Sequence, residues 1–444
     1  MKPGGRLTAS LPRLRHGPRD LPALLRTSVG RNELRRGLEW LAWYFVAPIA
    51  ALHRRVGLAG HPVVAITGTY GKTTTARAIA AALGSPAPPV NFRTYLALGL
   101  LRVRRGAPPA VFEVGISRPG QMAGYARLLL PRIAVVTAIA SEHVTAFGTL
   151  ERTAGEKQRL LSHLLPRDLA LLRGDDPRVL AMAAQTSARV VTYGLGAGND
   201  VRAEAVRIDW PRGTAFELVT PEGRHAVFVR PLGPHAVAAT LAALAVAREL
   251  GVPVETALAR LASMAPAPGR LEPIELANGA WILRDDYKGG LETIESALDV
   301  LDAIPARRKW VVLGPITEPP HPARAAYRFL GARLGTSVDR VVGCGPYRNP
   351  FGALASAARS AGLASEAIAF CPDVQGAASR LAAELEPGDV VLLKGQNNLR
   401  FERIAIALAG RTVRCELRRC FAKGIACADC AMLERGWAGL RPVT

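Results

Sequence analysis

The most specific chemical signal in this sequence is a glycine-bracketed turn, residues 68–71, that leads directly into a lysine and three threonines. A short apolar run, residues 63–67, precedes the turn, and alanine-rich, helix-forming residues follow it. This order predicts a strand, a phosphate-binding loop and a helix, because glycines let backbone N–H groups approach phosphate oxygens and a helix N-terminus favours an anion. The residues predicted to contact nucleotide phosphate are Gly68, Thr69, Gly71, Lys72, Thr73 and Thr74.

Lysine is scarce, since only seven of the 57 basic residues are lysines. A chain that otherwise uses arginine is expected to keep lysine where a compact ammonium group or a carbamylatable amine is needed. Lys157 is one of these residues. Glu113 and His143 each follow an apolar run, at the carboxyl ends of strands where α/β sites collect their ligands. Alone, such residues are more often structural than catalytic. They indicate a function only when they are taken together with the phosphate loop.

Apolar runs alternate with helical stretches from residue 62 onward, which predicts an α/β fold with a parallel sheet. Short antiparallel strands are expected over residues 201–230. A Pro/Gly-rich linker at 266–269 then leads to a smaller, doubly wound unit of four or five strands. The expected organisation is an N-terminal extension, a central phosphate-loop unit, a C-terminal α/β unit and a cysteine-rich tail, over residues 1–58, 59–265, 266–410 and 411–444.

In this order the motifs resemble the Mur ligase superfamily, and most closely the ligases that add D-alanyl-D-alanine to a cell-wall nucleotide peptide. The resemblance covers residues 60–410. It is carried by residues 68–75, 113–120, 137–143, 147–151, 157, 174–177, 233–235, 269–270, 285–287, 394–395 and 402–403. It implies a central P-loop ATPase domain followed by a Rossmann-like domain, and ATP-dependent amide formation through an acyl phosphate.

The resemblance also implies roles for individual residues. Lys72 would hold the β- and γ-phosphates, and Thr73 would bind one Mg²⁺. Glu113, His143 and a carbamylated Lys157 would bind further Mg²⁺. Arg270 would face the phosphates, and His235 with Asp285 or Asp286 would contact the rest of the nucleotide. Lys394 and Gly395 would seat the incoming amine. Ala236 and Ala239 stand where the family usually has asparagines, so the adenine contact departs from the family pattern.

The N-terminal extension departs further from the family. Residues 1–58 are too short and too rich in arginine and proline for the usual uridine-nucleotide domain. A lipid-linked or polymeric carboxylate, or a partner protein that supplies this site, is therefore expected instead. The apolar run 38–52 is too short to span a bilayer comfortably. It could lie on an anionic membrane face or pack as a helix on the next domain, and the sequence does not decide between them.

Four of the six cysteines lie close together in the tail, at Cys415, Cys420, Cys427 and Cys430. Four thiolates suit tetrahedral zinc, and a four-cysteine cluster in a reducing compartment binds metal more often than it forms disulfides. A structural zinc site is therefore predicted, with free thiols and an iron–sulfur cluster as alternatives.

Two other functional classes stay open, the first suggested by the formal net charge of +21 and the cysteine-rich tail, the second by the missing asparagines. One is a nucleic-acid-associated nucleotide-binding protein, but aromatic residues make up only 6% of the chain and no nucleic-acid-binding module is evident. The other is a ligase-like regulatory protein. The favoured interpretation is a cytoplasmic ligase that uses ATP and Mg²⁺, takes an amino acid or dipeptide as its amine, and contacts the membrane at most peripherally.

Overall fold

The computed structural model describes residues 25, 28–88, 91, 93–141, 147–346, 348–420, 422 and 425–437. Its strands are β1 Val63–Thr67, β2 Ala110–Glu113, β3 Ile133–Val136, β4 Leu169–Arg173, β5 Arg189–Gly194, β6 Val201–Asp209, β7 Gly213–Thr220, β8 Gly223–Val229, β9 Glu272–Glu275, β10 Trp281–Asp285, β11 Lys309–Leu313, β12 Arg340–Cys344, β13 Ile368–Cys371 and β14 Val390–Lys394. Its helices are α1 Ser28–Arg55, α2 Lys72–Leu83, α3 Arg93–Arg102, α4 Gln121–Leu129, α5 Leu150–Gln158, α6 Pro177–Leu180, α7 Pro234–Glu249, α8 Val254–Ala262, α9 Leu291–Asp302, α10 Ala323–Ser337, α11 Asn349–Ser360, α12 Val374–Glu384, α13 Glu402–Leu408 and α14 Met432–Arg435.

The first sheet has eight strands in the order β2-β1-β3-β4-β5-β6-β7-β8. Strands β1 to β6 pair in parallel, whereas β6, β7 and β8 form the antiparallel appendage expected from the sequence. Every residue of β1 is buried, because helices cover both faces of the sheet. One apolar core lies on the side of α2, α7 and α8, and the other on the side of α1, α3 and α4.

The second sheet has six strands in the order β13-β12-β11-β14-β10-β9, and all its pairs except β9–β10 are parallel. The expected α/β fold class is thus confirmed. The sequence analysis did not predict the edge strand β9, since its Glu-Pro-Ile-Glu sequence carries two charges and a proline. Such a sequence is tolerated at a sheet edge, where proline need not donate to a ladder.

The sequence of residues 133–139 predicts one strand, but β3 ends earlier, at Val136. The next residue, Thr137, turns its hydroxyl to the carbonyl oxygen of Tyr70, 2.6 Å away in the phosphate loop. Thr137 and Ala138 thus leave the strand and form hydrogen bonds with the phosphate loop.

Helix α1 packs along the first sheet's outer layer. Ala50 is fully buried, and the indole of Trp43 makes an edge-on contact with the ring of Tyr125, with 6.1 Å between ring centroids. Arg54 donates three hydrogen bonds of 2.6–2.7 Å to backbone carbonyls at the ends of α1 and α4. No helix among the described residues combines the length and apolarity needed to cross a membrane.

Candidate functional site

The phosphate loop lies between β1 and α2, at the carboxyl end of β1, which pairs in parallel with β2 and β3. Gly68 and Gly71 have φ of +146° and +82°, values that side-chain-bearing residues rarely adopt. A Cβ on Gly68 would lie 1.9 Å from the Oγ1 of Thr137. The amide of Thr69 donates to the carbonyl of Ala138 at 2.6 Å. The loop is therefore held in shape by the segment that follows β3.

Two of the rare lysines converge on this loop from different elements. The Nζ of Lys72 donates to the carbonyl oxygens of Gly68 and Thr69, at 2.9 and 2.7 Å. The Nζ of Lys157, on α5, donates to the same Gly68 carbonyl at 2.8 Å, and this side chain is almost completely buried. Two ammonium groups beside the N-terminus of α2 create a positive field that favours a phosphate.

Oxygen ligands of the kind that Mg²⁺ prefers lie next to the loop. The hydroxyl of Thr73 donates to Oε2 of Glu113 at 2.7 Å. Oε1 of Glu113 accepts a hydrogen bond of 3.0 Å from the side-chain amide of Asn91, whose Oδ1 accepts from the amide of Gly115 at 2.8 Å. Asn91 thus orients the carboxylate. A hydroxyl and a carboxylate, side by side and half-buried or buried, fit a magnesium ion.

Arg270 extends from the second unit of the chain to the phosphate loop. Its Nη2 donates to the Thr73 hydroxyl oxygen at 3.1 Å. Its guanidinium lies over the ring of Tyr287, 4.1 Å from the centroid, which fixes the cation by a cation–π contact. The hydroxyl of Thr73 is therefore shared between Glu113 of the first sheet and Arg270 beside the second.

A second contact between the two units involves residues that sequence reasoning missed. Glu292, in the first turn of α9, accepts hydrogen bonds from the amide and hydroxyl of Ser141, at 3.2 and 2.9 Å. In the sequence, this contact was indicated only by Glu292 itself, an acidic residue in the first turn of the helix that follows Gly289-Gly290. His143 lies outside the described residues, so its assignment stays a prediction.

The residues predicted to contact the rest of the nucleotide lie in two places: His235 is beside the phosphate loop, and Asp285 and Asp286 are at the end of β10. His235 stacks on Tyr70 with 5.8 Å between ring centroids, and burial lowers the pKa of this imidazole to about 4. The family's asparagine positions are filled by Ala236 and Ala239, both buried in the core against α2.

Asp285 and Asp286 face different partners although they are neighbours in sequence. Asp285 forms an ion pair with the buried Lys394, 2.5 Å from Oδ2 to Nζ. Asp286 accepts from Arg284 at 3.0 Å, and burial raises the pKa of its carboxyl to about 6. Gly395 lies under the ring of Phe401, where a Cβ would approach to 3.0 Å. Asp285 and Lys394 thus act as one unit at the end of β10 and β14.

The structure does not support the predicted zinc site. Within the described ranges, no three His, Cys, Asp or Glu side chains are placed to hold a metal ion. Cys415 instead packs with Met432 and Trp437 in a small apolar cluster that Cys420 and Cys430 adjoin. Burial raises the pKa of the Cys427 thiol, which disfavours the thiolate that a metal would require. All six cysteines are free thiols.

Two arginines attach the tail to the second unit. Arg403 donates to the carbonyls of Cys415 and Leu417, at 2.8 and 2.6 Å, and Arg400 donates to that of Ile425 at 3.0 Å. Glu402 accepts from the amide of Cys427 at 2.7 Å. These charge-assisted bonds satisfy the backbone of a segment that has little regular structure.

A phosphate loop at the head of a parallel sheet, approached by an arginine from a second α/β unit, defines a nucleotide-dependent enzyme with its site between two units. Comparison with known proteins makes this specific. The profile of the Mur ligase middle domain matches residues 66–247, and that of the Mur ligase glutamate ligase domain matches residues 269–397.

Individual relatives agree with these profiles. The UDP-N-acetylmuramoyl-tripeptide–D-alanyl-D-alanine ligase of Mycobacterium leprae is 30% identical over 79% of this chain and 74% of its own. Crystal structures of MurF from Acinetobacter baumannii and of MurF ligase from Thermotoga maritima in complex with ADP each superpose with a TM-score of 0.72 at 25% identity. Both cover 83% of this chain, and 81% and 83% of their own chains, respectively.

The chain belongs to the Mur ligase family. It is an ATP-dependent ligase that forms amide bonds, with ligases of the MurF type among its relatives. The predicted family and reaction class are confirmed.

Proposed function

We propose that this ligase joins the amine of an amino acid or short peptide to the carboxylate of a peptidoglycan-type precursor, with Mg²⁺ as cofactor. The observation that carries the proposal is the Thr73 hydroxyl, which contacts Glu113 of the first sheet and Arg270 of the second unit. A γ-phosphoryl group placed there would have a cation on either side, Lys72 and Arg270. Charge that develops during phosphoryl transfer would be stabilised without reorganisation.

The reaction that fits this arrangement has two steps. An oxygen of the acceptor carboxylate attacks the γ-phosphorus, and ADP departs with the electron pair of the broken bond. The amine nitrogen then attacks the acyl carbon, inorganic phosphate leaves, and the nitrogen loses its proton. Lys72 and Arg270 would hold the transferring group in line in the first step. Lys394 and Gly395 are proposed to seat the amine in the second step, and the carboxylate of Asp285, which is paired with Lys394, would accept a hydrogen bond from the amine N–H.

The residues fit Mg²⁺, with Thr73 and Glu113 as the candidate ligands and His143 as a further candidate. When bound, the ion would neutralise phosphate oxygens as charge accumulates on them. We also propose that Lys157 is carbamylated, which would turn a cation beside the Gly68 carbonyl into an anionic ligand. Mass measurement of the intact chain under bicarbonate tests this: an adduct of one carbon dioxide is expected, and it should be absent from Lys157→Arg.

We further propose that residues 59–265 and 266–410 act as two domains that close on the nucleotide. The Ser141–Glu292 and Thr73–Arg270 contacts, which link the two, support closure because each would shield the reacting groups from water. The acceptor carboxylate is proposed to be lipid-linked, since a helix with an exposed apolar face precedes β1.

Phosphate release is the test of the proposed function. Purified protein with ATP and Mg²⁺ is screened against amino acids and dipeptides in combination with candidate muropeptide carboxylates. Release is expected only when an amine and a carboxylate are both present. Lys72→Ala should lower it by about 1,000-fold, whereas Lys309→Ala, a surface lysine on β11, should leave it unchanged. Release that ignores the amine, or that survives Lys72→Ala, would refute the proposal.

A further inference from the structure

Helix α1 has two apolar faces, and only one of them is used by the fold. Trp43, Val46, Ala47, Ala50 and Ala51 pack toward the first sheet. On the other side, the exposed apolar residues follow at intervals of three or four, at Leu38, Leu41, Phe45, Ile49 and Leu52 and, in the turn directly after α1, at Val56. At 3.6 residues per turn they fall within about 80° of the helix circumference. We call these six residues the outer stripe.

The outer stripe is exposed to an unusual degree for large apolar side chains. Phe45 is 76% exposed, and every other member is at least half exposed, among the residues that the structure describes. Contiguous apolar surface of this length on a folded chain marks an interaction site, because leaving it in water costs free energy. Tyr44, also exposed, adds an aromatic side chain of the kind that favours a membrane–water interface.

The charge around the outer stripe is strongly positive. Residues 28–71 and 84–132, which include α1 and the helices α3 and α4 beside it, contain 12 Lys/Arg and three Asp/Glu, a formal net charge of +9. Arg102, Arg104 and Arg105 are exposed in and after α3. They lie beside the C-terminal end of α1, because the ring of His53 is 3.1 Å from the carbonyl oxygen of Val103.

A groove between α1 and α4 adds two further arginines to this surface. The groove has a volume of about 330 Å³, and Arg55 and Arg127 are among the residues that line it, together with Trp43 and Tyr44. Both arginines are exposed. Cations and an indole at the edge of an apolar helix are suited to phosphate headgroups at the depth of the interface.

We propose that the outer stripe of α1 docks this enzyme onto a membrane surface that carries anionic lipids. The helix would lie in the plane of the interface, since its inner face is packed on the protein from Trp43 to Arg54 and this packing prevents end-on insertion. A second copy of the chain fits less well, because it would bring two faces of the same positive sign together. Apolar surface and basic charge supply the two signals that stable peripheral binding requires.

This inference deepens the proposed function, because docking on the lipid surface would place the active site beside a lipid-linked acceptor. Phosphate release does not depend on it, so the two can fail separately. A chain that binds anionic vesicles without turnover would refute only the ligase proposal. A chain that turns over a water-soluble acceptor but ignores vesicles would refute only the docking proposal.

Vesicle sedimentation of the full chain tests the docking proposal. Binding is expected to vesicles with phosphatidylglycerol as about a third of the lipid, to be weak with phosphatidylcholine alone, and to be lost as salt shortens the screening length. Phe45→Glu should lower the partition coefficient by about tenfold. Phe329→Glu, on an exposed phenylalanine of α10 that is 52% exposed, should leave it unchanged.

A second pair of variants isolates the charge contribution. Arg104→Glu is expected to lower binding by about fivefold or more, whereas Arg359→Glu, an exposed arginine on α11, should have no effect. Turnover of a soluble acceptor should be unaltered in all four variants. The proposal is overturned if wild-type chain does not sediment with anionic vesicles at low salt. It is also overturned if Phe45→Glu abolishes a dimer without changing sedimentation.

Discussion

The phosphate loop and the cysteine tail both contain side chains suited to binding a charged ligand, but only the loop brings them together. Around the loop, Thr73, Glu113 and Arg270 come from positions far apart in the sequence and meet at one hydroxyl. In the tail, Cys415 and Cys420 are near neighbours in sequence and adjoin the same apolar cluster. Proximity in sequence thus did not predict a metal cluster among the described tail residues, whereas position after parallel strands did predict that Thr73 and Glu113 meet.

The physical difference lies in what holds each region. Parallel strands present their carboxyl ends at one edge, so side chains that follow β1 and β2 must converge there. The tail has short helices and one isolated bridge between Cys415 and Trp437, and its backbone is satisfied by Arg400 and Arg403. Because the tail has little regular secondary structure, the spacing of its cysteines in the sequence does not determine where their thiols lie.

The largest expected effect is at the point where the two units meet. Arg270→Ala should lower kcat by about 1,000-fold, because it removes a cation from the charge that develops on the transferred phosphoryl group. Steady-state phosphate release checks this. Arg340→Ala, which removes an arginine that lies over the ring of Trp310, is the matched control and should keep wild-type turnover. Equal losses in both variants would mean that Arg270 acts only through folding.

The next largest effect is expected from a change in the backbone conformation of the phosphate loop. Gly68→Ala places a Cβ against the Thr137 hydroxyl at a φ of +146°, which should destabilise the protein by about 2–3 kcal/mol and weaken ATP binding. Gly352→Ala, in open space on α11, should be neutral or slightly stabilising. Urea unfolding and nucleotide titration of both variants test the difference. Unchanged ATP affinity in Gly68→Ala would contradict the assigned loop.

The partly buried imidazole of His235, beside the loop, predicts an acid sensitivity that the tail does not share. The pKa of His235 is lowered from 6.5 to about 4 by burial, which outweighs the opposing charge of Asp285. The unfolded chain therefore binds a proton that the native chain does not, and stability is lost as pH falls from 6.5 toward 4. At pH 5 the cost is about 2 kcal/mol.

Urea unfolding at pH 7 and pH 5 measures this cost. His235→Gln should remove it, whereas His225→Gln, on the edge strand β8, should retain it. If lowering the pH from 7 to 5 changes the free energy of unfolding of the wild-type chain no more than that of His235→Gln, then His235 is not kept neutral in the native state.

The smallest effects are expected in the tail. Cys420→Ser and Cys430→Ser should each change the free energy of unfolding by less than about 1 kcal/mol, because both side chains are only partly buried. Treatment of the wild-type chain with a chelator should leave its Tm unchanged. One zinc per chain in elemental analysis, with a Tm that falls on chelation, would reverse the comparison and make the tail a metal site.

Sequence alone predicted what depends on local pattern: the loop, the alternation of strands and helices, and the order of the family motifs. It did not predict contacts set by tertiary packing, such as Asn91 on Glu113, Ser141 on Glu292, or the separate partners of Asp285 and Asp286. It left open whether α1 is buried or exposed, and the structure shows that both hold, on opposite faces.

Isotope transfer from the acceptor tests the central claim most directly. An acceptor that supports turnover is labelled with heavy oxygen in its carboxylate, and the phosphate released during one round of ligation is analysed by mass. Activation through an acyl phosphate predicts that each phosphate carries one labelled oxygen from the acceptor. Unlabelled phosphate accompanying amide formation would contradict the account, because the carboxylate would then never have attacked the nucleotide held at the loop.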